Sequence, residues 1–141
     1  MRPVSKIVVH HTASPDSWTL EKTRAFHKGT KGWSDIGYNF VVETKPLTFR
    51  VGRRADVNGA HAKGVNHSSV GLVVIGNFVE HEMDRETLGY VAQCVADICI
   101  SYSLSSSDVY GHKEVGTTAT VCPGFDVDAL RQRVAEILSR G

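Results

Sequence analysis

Two short runs rich in Val and Ile, Val4–His10 and Val70–Ile75, constrain this 141-residue chain most. Neither shows the strict apolar/polar alternation of a strand with one wet face, and both end abruptly, the second at Gly76-Asn77. Short β-branched runs of this kind read as strands covered on both faces, which requires helices above and below a sheet. The intervening sequence supplies them. Ser17 or Thr19 can cap a helix running to about Lys28 and stopped by Gly29. From Asp84, an N-cap by residue type, to about Ser103, apolar residues recur at Leu88, Val91, Val95, Ile98 and Tyr102, one face of a five-turn helix. Phe125 to Leu138 reads as a last helix with Leu130, Val134, Ile137 and Leu138 inward. Further strands are expected at Ile36–Glu43, Leu47–Val51 and around Val109-Tyr110, and Arg53–Ser69, rich in Gly, Asn and His, reads as a long functional loop. The expectation is α/β: a single domain over residues 1–141 with a mixed central β-sheet flanked by helices, strand pairing open.

Charge and hydropathy remove several classes of function. Sixteen basic residues against fifteen acidic leave a formal charge of +1. A chain built to neutralise nucleic-acid phosphates or to lie on an anionic membrane carries a larger excess, so neither partner is expected. No apolar run approaches the roughly 18 residues that span a bilayer. The beginning of the chain lacks an apolar signal core with a small-residue cleavage site, so no export signal is read there.

Seven histidines and three cysteines direct attention to metal chemistry. Cys94 and Cys99 fall on different sides of the long helix and read as small core residues. Cys122 instead lies in a loop-like run before Pro123. His10 closes the first strand and His11 follows it; alternation along a strand lets only one of the two face a given site. His112 also sits at a strand end, where active sites of α/β sheets gather. Two imidazoles and a thiolate make a three-ligand zinc set that leaves a fourth tetrahedral position open, the mark of a catalytic rather than a structural zinc. There is no Cys-x-x-Cys and no His-Glu-x-x-His in the chain, so on spacing the same residues also read as a capping histidine, a surface histidine and a buried thiol.

Seven motifs taken together carry a resemblance: Val8-Val9-His10-His11-Thr12, Phe26-His27, Gly32-Trp33 through Tyr38-Asn39-Phe40, His61 through Asn66, Ser69 through Asn77-Phe78, Gly111-His112, and Cys122-Pro-Gly-Phe-Asp126. In this order, over roughly residues 6 to 130, the chain resembles the zinc N-acetylmuramoyl-L-alanine amidases, a superfamily that includes amidase-type phage lysozymes and animal peptidoglycan recognition proteins. The resemblance implies that His10, His112 and Cys122 bind one Zn2+, with His11 facing away. It implies hydrolysis of the amide between N-acetylmuramic acid and L-alanine, Tyr38 orienting water or the tetrahedral intermediate. Thr120 stands two positions before the cysteine, where phage relatives commonly carry lysine and catalytic recognition proteins carry threonine; it is expected to support the site without acting as a base. No carboxylate lies in Leu72–Ile75, where some bacterial relatives place a glutamate. By the same resemblance His27, Trp33, His61 and Asn66 line a muropeptide groove, and Gly32-Trp33 implies a meso-diaminopimelate stem peptide. His67 and His81 are expected at the surface. The implied protein is a monomeric, bacteriolytic phage or prophage endolysin, held in the host cytoplasm before release onto the cell wall. The alternative is a module that binds peptidoglycan without cleaving it.

Overall fold

The computed structural model describes residues 2–140. Five strands form one mixed sheet: β1 (Lys6–His11), β2 (Phe40–Thr44), β3 (Leu47–Val51), β4 (Ser69–Val74) and β5 (Val109–Gly111), in the order β3-β2-β4-β1-β5. Only the β2–β3 hairpin is antiparallel; β1 runs parallel to both β4 and β5, and β2 runs parallel to β4. Three helices cover the sheet: α1 (Leu20–Gly29), α2 (Arg85–Tyr102) and α3 (Val127–Ser139). No helix among the described residues is long and apolar enough to cross a membrane. The α/β reading with a mixed sheet flanked by helices holds.

Alternation along β1 and β4 sorts their side chains between two layers. Ile7, Val9, Val70, Leu72 and Val74 point into the larger core, where Val91, Val95 and Ile98 of α2 and Leu130 and Val134 of α3 meet them. On the other face Val41, Val73 and Ile75 pack with Leu20 of α1 and with Ile36. Both faces of the central strands are dry, which accounts for their continuous apolar composition. Each fully buried Val, Leu or Ile contributes about 1.5–3 kcal/mol relative to an exposed one.

Helix ends follow local chemistry. Thr19 caps α1 by accepting from the Lys22 amide, and Asp84 caps α2 by accepting from Thr87 N at 2.7 Å. The last helix begins later than its apolar spacing suggests. Asp126 accepts from Ala129 N at 3.1 Å, so Phe125 stays outside the helix and packs into the core. One strand is shorter than expected: β2 starts at Phe40, not Ile36. Residues 36–39 divide their hydrogen bonds: Asn39 N still donates to Gly71 O of β4, but the other bonds leave the regular ladder. Gly37 N donates to His27 Nδ1 and Gly37 O accepts from Ala60 N. Arg53 Nε donates to Ile36 O, and the Asn39 side chain, rather than its backbone, accepts from Gly71 N. The segment thus leaves the regular ladder while staying fastened to β4, and it holds the loop after β3 against the sheet.

Candidate active site

The parallel strands β1 and β5 end side by side, which carries His10 and His112 to the same rim of the sheet. His10 is almost completely buried on the α1 side, and His11, one residue on, faces the opposite layer, where its Nδ1 accepts from Phe78 N at 3.1 Å. His112 opens a short 3-10 turn after β5. Lys113 N donates to Cys122 O at 2.8 Å, so that turn is pinned to the loop bearing the cysteine. Cys122 Sγ accepts from His11 N at 3.3 Å and lies 3.7 Å from His10 Nδ1.

One donor atom from each of His10, His112 and Cys122 can be chosen so that all three lie within 4.8 Å of one another. The 3.7 Å separation of nitrogen and sulfur is close to the edge of about 3.6 Å expected between N and S ligands of tetrahedral zinc. His112 Nε2 is buried and has no hydrogen-bond partner among the described residues, the state of a nitrogen whose lone pair is reserved for something else. A thiol and two imidazoles with one such orphaned nitrogen fit a divalent, borderline-soft cation. Burial and the mutual repulsion of neighbouring imidazoles hold His10 far below the usual histidine range, and burial lowers His112. Both rings are therefore neutral and able to ligate at neutral pH. In the metal-free protein, burial pushes the Cys122 thiol up to about 11, so metal binding there must displace a proton.

A cleft of about 380 Å³ opens over these atoms, walled by His27, Lys31, Trp33, Tyr38, His61, Lys63, Asn66 and Thr118. Tyr38 packs against His10 with ring centroids 5.1 Å apart, and burial, reinforced by the Cys122 charge, raises its hydroxyl well above the ordinary tyrosine range. That hydroxyl remains a donor at any working pH. His27 accepts from Gly37 N through Nδ1 at 2.8 Å, which places its hydrogen on Nε2. Burial, with help from Lys31 and Arg53, lowers it to about 4. Trp33 meets His27 edge to face at 4.7 Å, and Lys31 Nζ sits 5.3 Å from the Trp33 ring centre. Gly32, at φ +71°, makes the left-handed turn that delivers this tryptophan.

Four of the six non-ligand residues singled out from sequence play parts that their spacing does not reveal. His61 lines the cleft, yet both ring nitrogens turn inward, to His10 Nε2 at 3.0 Å and to Ser69 Oγ at 3.4 Å. Asn66 accepts from His61 N and Ala62 N through one side-chain oxygen, closing the loop on itself. Thr120 lies outside the cleft wall and accepts from Cys122 N at 3.1 Å. His27 is buttressed by Gly37 as described. His67 and His81 are exposed, and Cys94 and Cys99 are buried free thiols. Asn39 was not singled out, although the Tyr-Asn-Phe motif contains it. It is wholly buried, and its amide nitrogen donates to the carbonyls of Arg53, Arg54 and Val57. The only signal for it in sequence is a polar residue at the head of an apolar strand. A larger groove of about 600 Å³ on the other side of the sheet, walled mainly by Phe40, Phe49, Tyr90, Ile98 and Tyr102, holds no histidine.

A sequence model of N-acetylmuramoyl-L-alanine amidase matches residues 1–125. Peptidoglycan-recognition protein SC2 of Drosophila melanogaster is 31% identical over 132 residues, spanning 88% of this chain and 70% of the relative. Among solved structures, the N-acetylmuramoyl-L-alanine amidase LysC from Clostridium intestinale superposes with a TM-score of 0.84 at 30% identity, covering 94% of this chain and 86% of that one. A mutant of Drosophila PGRP-LB in complex with tracheal cytotoxin superposes with a TM-score of 0.75 at 26% identity, over 88% of this chain and 77% of that one.

Proposed function

The chain belongs to the N-acetylmuramoyl-L-alanine amidase family, and from that premise we propose that it is a zinc amidase cleaving the bond between N-acetylmuramic acid and L-alanine in peptidoglycan. The observation that carries the proposal is the convergence of His10, His112 and Cys122, with His112 Nε2 buried and unpaired, at the floor of an open cleft. A module that only binds has no need of an orphaned imidazole nitrogen under its groove.

When bound by those three residues, zinc supplies Lewis acidity, which acidifies water and polarises an amide carbonyl. The protein's own groups supply the rest. Tyr38 keeps its proton and donates to the oxygen on which negative charge develops, a contribution of about 2.7–4 kcal/mol for a well-placed donor. His27 presents Nε2–H, since Nδ1 is committed to Gly37 N. Thr120 holds the Cys122 amide and so fixes the loop from which the thiolate projects. No carboxylate lines the cleft, whereas Lys31 and Lys63 do. Those cations favour the anionic stem peptide over a neutral glycan. Trp33 against His27 offers a flat wall to that peptide, and we assign it a meso-diaminopimelate stem on the Gly32-Trp33 pair. A monomeric state is part of the same proposal, as is action as a phage or prophage endolysin, released from the host cytoplasm onto the wall.

The test is digestion of purified peptidoglycan with and without a chelator, the new ends identified by mass. Free lactyl carboxyls paired with free L-alanine amino groups, lost with chelation and restored by zinc, are the expected result. Binding to the wall without new ends would establish the recognition module instead. Faster release from lysine-type than from diaminopimelate-type walls would overturn the stem assignment alone.

A further inference from the structure

His61 stands in the middle of a hydrogen-bond chain whose direction is dictated from its far end. Ser69 Oγ lies 2.7 Å from the carbonyl oxygen of Val65, an atom that can only accept, so the hydroxyl hydrogen is spent there. Ser69 then offers a lone pair to His61 Nε2 at 3.4 Å, and that nitrogen carries the ring hydrogen. The His61 ring is buried and meets no carboxylate along this chain, so it is neutral and its Nδ1 is bare. Nδ1 faces His10 Nε2 at 3.0 Å. His10 must therefore hold its hydrogen on Nε2 and leave Nδ1 bare, and Nδ1 is the nitrogen turned towards Cys122 Sγ at 3.7 Å.

The backbone is shaped around this ring. A Cβ placed on Gly71 would lie 2.5 Å from His61 Cγ, and one on Gly59 would lie 2.7 Å from His61 Cδ2. Gly71 belongs to β4, directly beside Val8 of β1, so the strand next to the ligand-bearing strand gives up a side chain to admit His61. A residue serving only as groove wall needs neither two bare glycines nor two inward nitrogens.

We propose that His61 is a positioning residue: through Val65 O, Ser69 and its own ring, it locks His10 in the tautomer that presents Nδ1 as a lone pair to the metal shared with His112 and Cys122. This rests on the metal-site reading above. Histidine ligands generally donate their second N–H to a carboxylate, carbonyl or water; here the acceptor is another imidazole, itself aimed by a serine.

Two measurements test it. Long-range 1H–15N correlation spectra of the metal-free protein should show His10 and His61 both with protonated Nε2 and bare Nδ1. Competition with a chelator should then show zinc affinity falling about 10–100-fold in His61→Phe, which keeps a ring but supplies no acceptor. His61→Gln, whose amide can accept from His10 and donate to Ser69, should bind within a few-fold of the wild type. Ser69→Ala leaves the ring pocket intact and should weaken binding several-fold, giving an independent reading even where His61→Phe folds poorly. A wild-type His10 protonated on Nδ1, or a folded His61→Phe that binds zinc as tightly as the wild type, would overturn the proposal. A wild type that binds no zinc while its His10 keeps Nε2–H would sink the metal-site reading and not the tautomer lock.

Discussion

At the scale of single residues, the site depends on where individual protons and lone pairs sit. In the proposed zinc site Cys122 is the donor with no substitute in reach, since a thiolate alone among the three donors would be anionic. Cys122→Ser should cost more than about 100-fold in zinc affinity and abolish turnover, checked by metal content after dialysis and by wall digestion. Tyr38→Phe removes a donor and no ligand. It should retain a full equivalent of zinc while kcat falls about 10²–10³-fold; loss of zinc with activity would show that the phenol holds the metal site together instead. Thr120→Val removes the acceptor for Cys122 N but no proton-transfer group, and a fall of less than about tenfold is expected. Complete loss of turnover would assign the hydroxyl a direct chemical part. The three candidate ligands, which the fold brings together, could be nominated from the sequence because imidazole nitrogen and thiolate sulfur carry their chemistry in the residue type. His61 is different. Its residue type allows groove wall, ligand or prop, and only Ser69 on one side and His10 on the other decide among them.

Among the elements, the ends are where sequence and structure part. Asp84 announces α2 correctly because a carboxylate that accepts from the third amide needs nothing beyond its own turn. Asp84→Ala should lower stability by about 1 kcal/mol in a urea titration. The other end of α2 is closed by Ser103 at φ 58°, a left-handed conformation that a side chain disfavours. Ser103→Gly should raise Tm by a few degrees, about 2–4 °C per kcal/mol for a chain of this size; a lower Tm would mean that the serine makes up for its strain in another way. The start of β2 was not legible, because periodicity continues through Ile36–Asn39 while the regular ladder does not. That segment's hydrogen-bond partners lie in α1, in the segment after β3 and in β4, 10 to 32 residues away. Asn39→Ala should cost about 1–3 kcal/mol by stranding the Gly71 amide and three loop carbonyls in the interior.

For the molecule as a whole, buried neutral histidines make stability depend on pH. His27 titrates near 4 in the folded protein against about 6.5 when unfolded. Between those values the unfolded chain binds the extra proton, so the contribution is complete above about pH 6.5 and is lost as pH falls towards 4. The metal-free protein should lose on the order of 1–3 kcal/mol across that window in denaturant titrations, and His27→Gln should flatten the slope. Excess zinc should raise stability at pH 7.5 by about 2.7 kcal/mol at a hundred times its dissociation constant, an increment that a chelator removes. The sequence by itself determined the dry strands, the helices that cover them and the inventory of metal-binding side chains, because burial pattern and donor chemistry are properties of short stretches of chain. Tertiary structure alone decided that β1 would pair with both β4 and β5, thereby carrying His10 beside His112 and leaving at Gly71 the space that His61 fills. Strand neighbours and ring tautomers arise from contacts between residues 51 to 112 positions apart, and no local pattern encodes a contact of that range.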